Sequence, residues 1–242
     1  MSLTPIVLYP LTLPGLLDYI LKSQSSTSST TLIICSSRHV FLDHLSRSLH
    51  DDEPGEHQSN LQNLLAPTLY NLFTTQHVKL AFCASVQTLL AYLTAHGRSG
   101  TEHLDTIAER PRLVLVNPLA LHAATPSFSA QGLSRTFAAA TETASRIKAE
   151  LWIVECQMEQ RASDRHDEED VEMEGETNDL ESVDLQDPWE HEVSILNVSA
   201  RRFGSGTDGR VWAGRTVKVR SIAARWFRFH ELDKNQIHKG PG

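Results

Sequence analysis

Arg112-Leu113-Val114-Leu115-Val116-Asn117-Pro118 is the stretch whose reading decides the fold class. Leu113 to Val116 is a continuous apolar run with two β-branched residues, bounded by Pro111 and Pro118. A short run without polar alternation reads as a strand covered on both faces, as a parallel sheet requires. From Gln131 to Glu150 the spacing turns helical. Leu133, Phe137, Ala140, Ala144 and Ile147 fall on one stripe, and Arg135, Glu142, Arg146 and Lys148 fall mostly off it. Leu151-Trp-Ile-Val154 is apolar again. Strand, helix, strand is a βαβ unit, and such crossovers are right-handed.

The same alternation extends toward the N-terminus. Ile6 to Tyr9 reads as a first strand, Pro10 to Gly15 as a loop and Leu16 to Lys22 as a short helix. Thr31 to Cys35 and Val78 to Cys83 read as further strands, the first followed by an amphipathic helix and the second by a helix over Val86 to His96. Beyond the acidic run described below, Val193 to Val198, Thr216 to Arg220 and Arg225 to Phe229 read as strands. The last two alternate apolar with basic residues, as hairpin strands with one wet face do. The expected class is α/β: a mostly parallel sheet flanked by helices, with antiparallel strands at the C-terminal edge.

Bulk properties are those of an ordinary soluble protein. The 242 residues are 40% hydrophobic and 21% charged, enough for one large α/β domain. No run reaches the 18 or so apolar residues of a membrane span. Cys35, Cys83 and Cys156 are scattered through strand-like runs, which predicts reduced core thiols rather than disulfides or a metal site. The net charge of −8 is unevenly distributed. Fourteen acidic residues and one arginine lie between Asp164 and Glu192. So acidic a stretch buries too little apolar surface to offset its ordering entropy. The expected organisation is therefore a core over 1–157, a disordered acidic insertion over 158–190, C-terminal strands over 191–233 completing the same domain, and a loose tail over 234–242.

The element order over residues 5 to 157 and 193 to 232 resembles the RecA-like ATPase core of the recombinase paralogues. Three stretches depart from what that resemblance implies. The expected phosphate loop is Tyr9-Pro-Leu-Thr-Leu-Pro-Gly15, with one glycine, two prolines and no Gly-Lys-Ser/Thr. Such a loop cradles phosphates with backbone amides and needs a lysine and a hydroxyl for phosphate and Mg²⁺. The strand expected to end in a catalytic glutamate ends Cys35-Ser-Ser-Arg38. The position of the Mg²⁺-associated aspartate is Asn117, a neutral amide. Pro14, Gly15, Ser37 and Asn117 thus mark a degenerate nucleotide site, and the resemblance implies a RecA-like domain that has lost its ATPase and takes no cofactor.

Small recombinase paralogues of this character include the subunits of the Shu complex, one of which opens similarly to Ile6-Val-Leu-Tyr-Pro-Leu11. The resemblance implies a non-enzymatic nuclear adaptor in homologous-recombination repair. Its partners would be another RecA-like paralogue, the recombinase, and single-stranded or forked DNA, with no membrane. Accessory subunits of the Elongator tRNA-modification complex, which are cytoplasmic, are RecA-like folds without ATPase motifs as well, and the sequence separates the two poorly. A divergent ATPase is the third reading.

Three groups of residues are candidate contacts. Arg201, Arg202, Arg210, Arg215, Lys218 and Arg220 form a C-terminal basic set interleaved with Phe203 and Trp212. Guanidinium groups beside aromatics suit a nucleic-acid backbone and its bases, although a solvated sheet face or salt bridges to the chain's own acidic segment would give the same pattern. Leu185 and Trp189, at the end of the acidic run, could anchor a partner. The loop Asn117 to Gly132, with His122, Thr125, Ser127, Ser129 and Gln131, stands where the family places a DNA loop and reads better as a plain connection. The twelve histidines lack the convergent spacing of a zinc site.

Overall fold

Leu113, Val114, Leu115 and Val116 are all buried, as a strand covered on both faces must be. The structure, a computed structural model, describes residues 4–24, 28–50, 66, 68–97, 110–157, 187–196 and 215–232. Strand β1 (Ile6–Thr12) leads into helix α1 (Leu13–Ser23), then β2 (Thr30–Ile34) and α2 (Arg38–His50). Helix α3 (Leu69–Thr75), β3 (Val78–Phe82), α4 (Val86–Ala95) and β4 (Arg112–Val116) follow. Helices α5 (Pro118–Ala123) and α6 (Ala130–Arg146) precede β5 (Glu150–Gln157). A 3-10 turn (Pro188–Glu190) opens the C-terminal part, with β6 (Glu192–Ser194), β7 (Thr216–Lys218), α7 (Val219–Ala223) and β8 (Arg228–Glu231).

Among the described residues six strands form one sheet in the order β3-β2-β4-β5-β1-β8, and every neighbouring pair is parallel. Alternate residues of the strands feed two cores, because successive side chains point to opposite faces. On one face Leu8, Leu32, Ile34, Val114, Val116, Trp152 and Val154 pack under Leu13, Leu16 and Ile20 of α1 and Phe41 of α2. On the other, Val7, Ile33, Leu113, Leu115, Leu151 and Ile153 pack under α4, α6 and α7. Phe137 of α6 is fully buried there and meets Phe227 edge to face, with centroids 5.2 Å apart. Truncating such a ring to alanine costs about 3–5 kcal/mol.

The parallel α/β architecture expected from the sequence is the one found. The C-terminal strands are arranged differently in detail. The antiparallel pair β6–β7 is a separate two-stranded sheet, tied to the start of α6 by a Ser129–Ser194 bridge. The strand that extends the main sheet is β8, and it runs parallel to β1. The cause lies in Val219, Ile222 and Ala223, whose i, i+3, i+4 spacing buries one face of a helical turn. That turn carries the chain back, so β8 runs parallel to β1 rather than making a hairpin. Most of the acidic run, residues 158–186, the tail from 233 and the stretch 197–214 lie outside the described residues.

Candidate functional site

Open parallel sheets bind ligands just outside the carboxyl ends of their strands. Pro14, Gly15, Ser37 and Asn117 all stand there, after β1, β2 and β4, and the adjacent strand β5 ends beside them. The expected loop over 10–15 does not form. β1 continues to Thr12, and α1 begins at the next residue. Thr12 caps the helix by accepting the Gly15 N–H at 3.2 Å, while Pro14 has no N–H to offer. Leu11, Leu13, Pro14 and Leu16 are buried, so apolar side chains occupy the place where backbone amides would have to face an anion.

The neighbouring strand ends use their polar groups internally as well. Ser37 caps α2: its hydroxyl accepts the Val40 N–H at 3.3 Å and its carbonyl accepts the Phe41 N–H at 3.0 Å. Asn117 adopts a left-handed backbone conformation, φ 58° and ψ 44°, which after glycine a short polar side chain tolerates best. Its N–H donates to Val154 at 2.8 Å and its Oδ1 accepts the Cys156 N–H at 2.7 Å. Asn117 therefore stitches β4 to β5 just past their last paired residues.

Glu155, absent from the candidates read from sequence, completes this edge. Its side chain is buried and its carboxyl accepts the backbone N–H groups of Leu119 and Ala120 at the start of α5. Burial raises its pKa to about 8, against the opposing pull of those two amides. The carboxyl is therefore largely protonated at neutral pH and points into the protein. A charged residue inside Leu151-Trp-Ile-Val-Glu-Cys156 was the available signal.

The segment Asn117 to Gly132 is also not a plain loop, because Pro118–Ala123 is helical. His122 is fully buried, with Nε2 2.9 Å from the Thr136 hydroxyl and Nδ1 3.2 Å from the Ser127 carbonyl. Desolvation lowers its pKa, so the ring is a neutral internal tie rather than a phosphate contact.

The basic set divides. Arg201, Arg202 and Arg210 lie outside the described residues. Arg215 is exposed just before β7, and Arg225 and Arg228 are exposed around β8. Lys218 ends β7, but Arg220 lies on α7, off the strand face it was expected to share. Both turn to Glu190: Lys218 Nζ lies 2.8 Å from its carboxylate and Arg220 Nη1 3.6 Å. Arg220 also donates to the Tyr9 hydroxyl at 3.2 Å and sits 4.7 Å from the Phe229 ring centroid. The hydrogen bond from Lys218, with the Arg220 charge beside it, holds Glu190 below its ordinary pKa, and the same bond holds Lys218 above its own.

No protein-family model matches this chain, and no curated protein matches it in sequence.

Of the partner-anchor candidates, Leu185 lies outside the described residues, and the expectation for Trp189 is corrected. Its ring is 1% exposed and meets Phe229 edge to face at 5.3 Å. A ring so placed holds Glu190 against Lys218 and Arg220, since the two residues are adjacent. Among the described residues no group of three His, Cys, Asp or Glu is arranged to hold a metal ion, and no helix is long and apolar enough to cross a membrane.

Proposed function

We propose that this chain is a non-catalytic, RecA-like adaptor subunit of a nuclear homologous-recombination assembly. In this reading it binds a paralogue partner and helps load the recombinase on single-stranded or forked DNA. What supports it is the end of β1, where Leu11, Leu13, Pro14 and Leu16 are buried at the position that the resemblance gives to a phosphate loop. In this reading the sheet serves as an assembly surface rather than as a nucleotide site, function being set by the site and not by the fold. Arg201, Arg202, Arg210, Arg215, Lys218 and Arg220 are the residues offered to the DNA backbone, and Arg215 is exposed for it. Lys218 and Arg220 would exchange Glu190 for phosphate.

The test is affinity purification of the tagged chain from its native cells, read by mass spectrometry. Recombinase paralogues or the recombinase among the partners support the reading. Elongator subunits would overturn it, moving the chain to tRNA modification and recasting the basic residues as RNA contacts. Mg²⁺-dependent nucleotide turnover by the purified chain would overturn the non-catalytic part.

A further inference from the structure

Strand β3 ends the main sheet on one side, and its bonding fixes which of its groups face outward. Thr30 N–H donates to the His77 carbonyl at 2.9 Å, and Cys83 N–H donates to the Ile34 carbonyl at 2.8 Å. Alternate residues of a strand bond to the same neighbour, so the odd-numbered residues of β3 serve β2. Val78, Leu80 and Phe82 therefore turn their N–H and C=O groups to the edge that no described strand occupies.

Their side chains share one face. Val78 and Phe82 pack on the core that contains Leu32 and Phe41, while Leu80 between them is 52% exposed. Helix α3 lies on the same side, with the Tyr70 hydroxyl donating to the Leu21 carbonyl of α1 at 3.4 Å. Its polarity is inverted for a surface helix. Thr74 is the residue it buries, whereas Leu69, Tyr70, Leu72 and Phe73 are exposed, Leu69 by 86%. Apolar residues gathered beside a strand edge that no described strand occupies have the pattern of an interaction surface.

We propose that β3 pairs antiparallel with β3 of a second copy of this chain, about a twofold axis through Leu80, so that one sheet runs across a homodimer. The sequence Val78-Lys-Leu-Ala-Phe82 is complementary to itself in that register. Leu80 faces the second copy's Leu80, and Val78 faces the second copy's Phe82, all on the α3 side. Lys79 faces the second copy's Ala81 on the other side. A lysine guards an edge strand when pairing would set like charges opposite each other, and here it meets a methyl group. The backbone groups of Val78, Leu80 and Phe82 gain partners, and the two α3 helices flank the seam. The five exposed side chains of α3 and β3 offer on the order of 600 Å² per copy, near the roughly 800 Å² per partner of a standard interface. A twofold contact of this kind closes on itself and adds no further copies. The inference is independent of the repair reading.

The test is sedimentation equilibrium of the purified full chain. Wild type is expected at twice its 27.0 kDa mass at tens of micromolar. Leu80→Lys and Phe73→Glu, both at exposed positions, are expected to weaken self-association at least tenfold while each variant still unfolds in one cooperative transition. Leu80→Cys, treated with oxidised glutathione as acceptor of the two electrons, should give a covalent dimer on a non-reducing gel. Lys79→Cys, off the axis, should not. If Leu80→Lys fails to fold, the cysteine pair decides. A monomeric wild type, or a dimer that Leu80→Cys does not cross-link, overturns the proposal.

Discussion

The Oδ1 of Asn117 accepts the backbone N–H of Cys156 at 2.7 Å, closing the gap between β4 and β5 beyond their last paired residues. Asn117 also has a left-handed backbone, so two of its properties are needed at once. Asn117→Ala loses the acceptor and strains the backbone, and is expected to destabilise the chain by about 2–4 kcal/mol. Asn117→Gly relieves the strain alone and should fall between the two. Urea unfolding of the three proteins orders them.

The buried Glu155 predicts a pH dependence. Its folded pKa of about 8 lies above the usual 4.5, so between these values the folded chain holds a proton that the unfolded chain has released. The stabilisation is complete below pH 4.5 and is lost as pH rises through 8, by at most about 1.4 kcal/mol per pH unit. Glu155→Gln should flatten the curve of stability against pH across this window. A variant curve with the wild-type slope would remove Glu155 as its source.

A methyl group has no room at Gly132. An added Cβ would lie 2.1 Å from the Ser127 carbonyl oxygen, and that carbonyl accepts from the N–H of Ser129 as well as facing His122. Gly132→Ala must displace backbone, and a loss of about 1–3 kcal/mol is expected. Thermal melts of the variant measure it directly.

The contact of Glu190 with Lys218 and Arg220 predicts opposite effects from two changes. Glu190→Gln frees two cations and should tighten binding to single-stranded DNA. The triple change Arg201→Glu, Arg202→Glu and Arg215→Glu should weaken it and lower the salt slope by about 0.7 for each phosphate contact removed. Fluorescence anisotropy across a salt series reads both. Unchanged affinity in the triple variant would remove these arginines from the proposed DNA contacts.

Much of this fold was legible in the sequence because its strands are covered on both faces. Leu113–Val116 and Leu151–Val154 are unbroken apolar runs, and the stripe of Leu133, Phe137, Ala140 and Ala144 matches the buried face of α6. Errors gathered where local signals compete. Tyr9-Pro-Leu-Thr-Leu-Pro14 reads as a loop because of its prolines, yet Pro10 sits within β1, and Pro14 lies in the first turn of α1, where a missing N–H is harmless. Thr216–Arg220 alternates like a strand, but burial of Val219 converts its second half to helix. The burial of Trp189 was not legible, because an aromatic after an acidic run carries no sign of which way it faces. Glu155 escaped notice because its role depends on the amides of α5, 36 residues earlier in the chain.

The position of β1 has a consequence for how the chain is made. Ile6 pairs with Trp152 on one side and Arg228 on the other, so the earliest strand of the sheet waits for the two latest. During synthesis its apolar residues have no hydrogen-bonding neighbour until β5 has emerged, and keep an open flank until β8 follows. Contacts so distant in sequence make folding slow and leave sticky intermediates. Ribosome-bound chains of increasing length should therefore need chaperones until Glu231 has cleared the exit tunnel.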